Sequence, residues 1–231
     1  MITRVLALAA LVSRPLAIQA FNPTLSFASS PFQTAVRMSS TSTEMKKRVL
    51  VPIAEDSEEI ETSCITDVLT RFGAEVVVAS VMPDNLVCKM SRGLKVCADV
   101  HIEEAANEDW DLISLPGGMP GAEHLRNCST LIQMLKKQQQ AGKPYGAVCA
   151  SPAVVLQTHG LITAPGATCY PAPPFRATMD SPTDESVSVQ DNVVTSQGPG
   201  TSLLFALALG EKLYGKEAAD KIAAELLVSR T

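Results

Sequence analysis

GAVCASPAVVL, residues 146–156, joins a short apolar run to a stretch with helical spacing and leaves one cysteine, Cys149, at the corner. Pro152 falls in the first turn of the following helix, where a missing N–H costs nothing, so the helix starts at Ala150 or Ser151. Small Gly146 and Ala147 suit a crowded strand end. A side chain at such a strand-to-helix turn projects from the sheet edge toward the unpaired N–H groups and positive end of the helix. A thiolate is stabilised by both. On these residues alone two readings stand: a reactive thiol, or a cysteine packed as a small hydrophobe.

The same alternation runs outward from that corner. RVLVPIA (48–54) reads as a buried strand, and Ile60, Cys64, Val68, Leu69 and Phe72 then recur at helical spacing until Gly73 supplies a stop. AEVVVASV (74–81) is a second strand, and LVCKMSRGLKVCADV (86–100) is a hairpin turning at SRG. DLISLPGG (111–118) is a third main strand ending in glycines, followed by a helix from about Ala122 to Gln140. KPYGAVC is the fourth; a second hairpin pivots on Asp191-Asn192, and two helices complete the chain. Short apolar strands separated by helices predict a mostly parallel sheet covered on both faces, in one domain over residues 46–231. Reactive groups of such sheets gather beyond the carboxyl ends of the strands. Glu58, Glu59 and Glu61 follow the first strand, PGG (116–118) the third and Cys149 the fourth.

Composition narrows the class. The first 43 residues hold no Asp or Glu and divide into a basic, apolar start (about 1–20) and a Ser/Thr-rich segment (about 21–43), which is targeting composition and not fold. A signal peptide followed by a transit-like segment beginning at Phe21 is similar to the bipartite presequence of algal plastids, so a plastid is the expected address; secretion, mitochondrial import or a disordered leader remain open. Removing the leader takes away Arg4, Arg14 and Arg37 and moves the formal charge from −5 to −8, a poor match to nucleic acid. VLALAALVS is interrupted by Arg14 and Pro15, short of the roughly 20 residues a membrane span needs. The six cysteines show no CxxC pair and no Cys/His spacing suited to zinc, so no metal is expected, and free thiols are favoured over disulfides.

AEDSEEIET (54–62), SRG (91–93), LPGGMPGAEHL (115–125), GAVCASP (146–152) and TSQGPGTSLLFAL (195–207) together resemble the ThiJ/PfpI superfamily, in its Parkinson-associated deglycase branch. The resemblance covers about residues 47–229 with the motifs in order. It implies a flavodoxin-like α/β three-layer sandwich that forms homodimers, with no cofactor. It further implies Cys149 as nucleophile, Glu61 beside it, and the amides of Gly118 and Ala150 as the oxyanion hole. A protonated Glu61 that hydrogen-bonds the sulfur would lower the cysteine pKa; read without the resemblance, Glu61 is a solvated residue of a helix first turn. Arg71 and Arg92 match positions that lie near the pocket in relatives, the second from the partner subunit, where an arginine binds carboxylate or phosphate; surface solvation is the alternative. The sequence departs from the branch at two places: Tyr170 stands where relatives carry a histidine near the cysteine, and CAS replaces CAG, placing Ser151 after the oxyanion amide. His101, His124 and His159 read as structural.

These features predict a cysteine-dependent enzyme acting on small dicarbonyls of the methylglyoxal type and their early adducts, through a Cys149 hemithioacetal. The alternative is a redox sensor or chaperone-like protein in which Cys149 is oxidised and turnover is small. Segment 171–185, PAPPFRATMDSPTDE, either closes over the pocket or crosses the surface.

Overall fold

Strand β1 (Arg48–Ile53) is fully apolar inside and sits at the middle of the sheet. In the computed structural model, which describes residues 46–230, its side chains alternate between two cores. Val49, Val51 and Ile53 face one side with Ile65, Leu69, Phe205 and Leu209; Leu50 and Ala54 face the other with Ile113, Leu125, Leu131 and Leu135. The leader expected over residues 1–43 lies outside the described residues.

The elements follow in the order α1 (Glu59–Arg71), β2 (Glu75–Ser80), β3 (Val87–Lys89), β4 (Lys95–Cys97), β5 (Val100–His101), α2 (Ile102–Ala105), β6 (Leu112–Leu115), α3 (Gly121–Asn127), α4 (Ser129–Gln140) and β7 (Tyr145–Val148). A π-helical segment, Pro152–Gln157, comes next, then α5 (Pro173–Arg176), β8 (Val187–Gln190), β9 (Val193–Ser196), α6 (Ser202–Tyr214) and α7 (Lys216–Glu225). The main sheet runs β5-β2-β1-β6-β7-β9-β8, parallel except where β8 pairs antiparallel with β9. Helices α1 and α6 cover one face, and α3, α4 and the π-helical segment cover the other. This is the three-layer α/β sandwich that the sequence predicts, and it brings the ends of β1, β6 and β7 to one edge.

Two local expectations are corrected. The helix expected from Ala122 to Gln140 is two helices, because Cys128 between them is extended (φ −78°, ψ 99°). Cys128 is thus the C-cap of α3 and the N-cap of α4 at once, a conformation that an unbroken helix would forbid. The inward face of α1 also differs. Glu61, Thr62, Ile65, Val68 and Leu69 are buried, whereas Ile60 is 53% exposed. Among the described residues all six cysteines are free thiols, no His/Cys/Asp/Glu cluster suits a metal ion, and no helix is long and apolar enough to cross a membrane.

Candidate active site

Cys149 ends β7 with φ +66°, a left-handed conformation that a non-glycine residue adopts only when its surroundings impose it. The constraint is visible on both sides of the residue. Its N–H donates to the Ser196 carbonyl at 3.0 Å, and its carbonyl accepts from Tyr170 N–H at 2.7 Å. Below it lies Gly117, where a Cβ would fall 2.6 Å from the Cys149 Cβ. The Gly118 and Ala150 amides lie beside the half-buried sulfur and favour its charged form, so the geometry gathers the residues expected as nucleophile and oxyanion hole. Gly118 has φ +90°, and a Cβ there would meet the Asp56 carbonyl and come within 2.8 Å of Glu58 N. No other residue type allows the PGG loop to lie so close to the loop after β1.

Helix α1 delivers Glu61 to the same place. Glu58 caps the helix by accepting from Glu61 N–H at 2.8 Å, and its own N–H donates to Gly117 O at 3.0 Å. Glu61 is completely buried, so the solvated-helix reading is excluded. Its Oε2 accepts from Gly117 N–H at 2.6 Å; Oε1 makes no well-formed hydrogen bond and is left to the thiol, the carboxyl's remaining partner.

Burial pushes the Glu61 carboxyl up to about 7, against the Gly117 amide and the Cys149 thiol, with the nearby Glu58 charge adding to the rise. Burial also pushes the Cys149 thiol up to about 12, with the negative charge of Glu61 next in importance; the Gly118 and Ala150 amides act in the opposite sense. The thiol pKa lowered by Glu61 and the helix start, as the sequence suggested, is therefore corrected: burial and the Glu61 charge outweigh the amides. The two groups titrate as a pair. One proton leaves near pH 7, and the second is held because its departure would put two negative charges on buried neighbours. Between these limits a single negative charge is shared between sulfur and carboxylate.

Sequence reasoning noted Ser151 only as a departure from a motif. It is fully buried, and its hydroxyl donates to the Pro116 carbonyl at 2.6 Å, tying the turn after the nucleophile to the PGG loop. Nothing in the sequence points to a partner 35 positions away.

The other candidates separate. Tyr170 is brought to the site through its backbone bond to Cys149; its ring lies edge-on to Phe175 and 3.4 Å from where a Gly198 Cβ would be. Its side chain is 43% exposed, so it forms a wall and not a buried base. Arg92 is exposed at the tip of the β3–β4 hairpin, which Glu59 straps to α1 by accepting from Arg92 N–H at 2.9 and 3.0 Å and from the Ser91 hydroxyl at 3.0 Å. Arg71 is not brought to the elbow within the chain. It lies in the last turn of α1, ten residues or about 15 Å along the helix from Glu61, and pairs with Asp67 at 2.7 Å. His159 Nε2 meets the Arg126 carbonyl at the end of α3, a capping role. Segment 171–185 is fastened by its own contacts, with Arg176 bonded to Asp184, Thr183 O and Pro182 O.

A family model described as DJ-1/PfpI matches residues 47–212. Protein DJ-1 homolog B of Arabidopsis thaliana is 46% identical over 84% of this chain and 44% of its own length, so the chain spans about half of that relative. A Caenorhabditis elegans protein named glutathione-independent glyoxalase DJR-1.2 is 35% identical over 79% of this chain and 96% of its own. The solved structure of oxidized Toxoplasma gondii DJ-1 is 50% identical, superposes with a TM-score of 0.76, and covers 79% of this chain and 99% of its own. With fold, elbow and sequence in agreement, the chain belongs to the DJ-1/PfpI family.

Proposed function

We propose that the protein is a cofactor-independent glyoxalase and deglycase acting on methylglyoxal-type dicarbonyls and their early adducts with amines or thiols. The observation that carries this reading is the Cys149–Glu61 pair: a half-buried thiol and a buried carboxyl that share one proton, with two amides aimed at the sulfur's side. The name of the nematode relative supports it. In the first step Glu61 takes the thiol proton as the sulfur bonds the aldehyde carbon. The developing oxyanion sits between the Gly118 and Ala150 amides and is then protonated, giving a hemithioacetal. Glu61 next removes the proton from that carbon and, through an enediol, returns a proton to the adjacent carbon. The product is a 2-hydroxy thioester, which water hydrolyses to lactate and the free thiol. Tyr170 is exposed and offers no buried base beside the sulfur, which leaves Glu61 as the proton carrier.

Leader-free protein incubated with methylglyoxal tests this directly. Lactate should form with wild type and fall to background with Cys149→Ala; no lactate above that control eliminates the enzymatic reading. A second reading is favoured by Tyr170, which removes a proton-transfer group. Here Cys149 is a sensor that accepts two oxygens in turn from peroxide, each transfer releasing water, to give a sulfinate. Intact mass after mild peroxide should place both oxygens on Cys149, and earlier oxidation of Cys64 or Cys88 rejects the sensor. The leader composition further supports import into a plastid, which a fluorescent protein carrying residues 1–45 at its N-terminus tests by its location in an algal cell.

A further inference from the structure

The carbonyl of Pro116 and the N–H of Gly117 are the two ends of one planar peptide group. Each end is engaged by a short bond: Ser151 Oγ–H donates to the carbonyl at 2.6 Å, and the N–H donates to Glu61 Oε2 at 2.6 Å. We propose that Ser151 is a positioning residue that decides which member of the Cys149–Glu61 pair holds their common proton, acting through the Pro116–Gly117 peptide.

The physics is that of hydrogen bonds in series. A donor on a carbonyl draws electron density toward oxygen and makes the N–H of the same amide a stronger donor. The chain hydroxyl, amide, carboxylate is therefore polarised along its length, and it ends on an oxygen that benefits only when Glu61 is charged. Burial of all three parts keeps water from substituting for any of them. The same bond fixes the loop on which Gly117 and Gly118 sit. Gly117 sits where no side chain fits: a Cβ there would fall 2.6 Å from the Cys149 Cβ and 3.0 Å from the Ala150 N and Val148 O. Among the described residues, the titratable groups acting on Glu61 are Glu58 at the α1 cap and Cys149 from the elbow, while Cys64 on α1 feels its charge. None of these groups bonds the Ser151 hydroxyl, so its removal reaches them only through the Pro116–Gly117 peptide and the loop that peptide anchors.

Ser151 thus stabilises Glu61 as carboxylate and the sulfur as thiol. Removing the hydroxyl weakens the Gly117 bond by roughly a tenth to a third. The proton then shifts toward the carboxyl and the charge toward sulfur. The inference rests on the pair's role in the proposed function, but its test does not need a dicarbonyl.

Carboxymethylation of Cys149 by iodoacetate is followed against pH in full-length wild type, Ser151→Ala and Ser151→Gly, with Ser151→Thr as rescue. The Glu61 carboxylic acid band, identified by its loss in Glu61→Gln, is titrated by infrared spectroscopy in the same proteins. Both midpoints should rise together by about 0.3 to 0.5 pH unit in the alanine and glycine variants, and the alkylation plateau should increase about two- to threefold, the same factor expressed as a rate. Threonine should restore both. An unchanged infrared midpoint in Ser151→Ala overturns the proposal, whether the thiol remains reactive or loses reactivity through simple disorder. Absence of lactate from wild type, by contrast, sinks the enzymatic reading while leaving these titrations interpretable.

Discussion

Glu61 occupies an inward position of α1 that the pattern of the helix would give to an apolar side chain, and this substitution sets the pH behaviour of the molecule. Its carboxyl is raised from 4.5 to about 7 by burial. The folded state therefore binds this proton more tightly than the unfolded chain. The resulting stabilisation is complete below about pH 4.5 and is lost as pH rises through about 7, a change on the order of 3 kcal/mol. Glu61→Gln should be more stable than wild type at pH 8 by about 1–3 kcal/mol, and the advantage should vanish by pH 4; thermal unfolding at the two pH values measures it. The same variant should lose lactate formation by about 10²- to 10⁴-fold, since no base remains to take the thiol proton. Wild-type activity should rise with pH through about 7, as the carboxylate form appears. Gly118→Ala places a methyl group against the Asp56 carbonyl and 2.8 Å from Glu58 N, at φ +90°. A loss of about 2 kcal/mol or more in denaturant unfolding is expected, together with loss of the Gly118 amide from the oxyanion position.

At the scale of elements, the β3–β4 hairpin is held to the first turn of α1 by Glu59 and to the loop after β1 by Asp56 N–H to Lys89 O at 2.8 Å and Ser91 N–H to Ser57 O at 2.9 Å. Glu59 pays a small desolvation cost but is lowered overall by the amides it accepts from, including its own and that of Arg92. The strap is therefore present above the ordinary glutamate range and weakens as pH falls through the lowered value. Glu59→Gln should speed hydrogen exchange at the Arg92 amide several-fold at neutral pH with little change in the core strands, and the difference from wild type should shrink in acid. Much of this level was legible in the sequence. The strand and hairpin positions followed from short apolar runs and turn residues, and Cys149 and the PGG loop from the rule that strand ends collect reactive groups, whereas the Gly118 and Ala150 amides were implied by the family resemblance. Three features were not. Cys128 interrupts a helix whose leucines keep the periodicity across the break, so pattern alone is blind to it. Ile60 joined an apparent apolar stripe, although the Gly117 amide turns α1 so that Glu61 faces inward. Arg71 shares a helix with Glu61 at a distance that only the helical rise discloses.

For the whole molecule, the outward turn of Ile60 acquires a meaning. Ile60 is 53% exposed on α1, and Leu94 is 52% exposed at the turn of the hairpin that Glu59 ties beside it. Large apolar groups placed together on a surface mark an association site, and we propose that a second copy covers them, as the homodimer expected from the sequence requires. Ile60→Asp should shift sedimentation equilibrium toward monomer by at least about tenfold in dissociation constant, while a monomeric wild type at micromolar concentration rejects the dimer.

The floor beneath the sulfur is packed to its limit. Additional Cβ atoms at Gly117, Gly118 or Gly121 would each lie within 3.0 Å of neighbouring backbone or of the Cys149 side chain itself. Met119 and Tyr170 are exposed, so under the proposed function a change of substrate choice should come from these side chains and not from the glycines. Under that function, the glycine floor fixes the chemistry while the exposed side chains leave the choice of substrate free to drift.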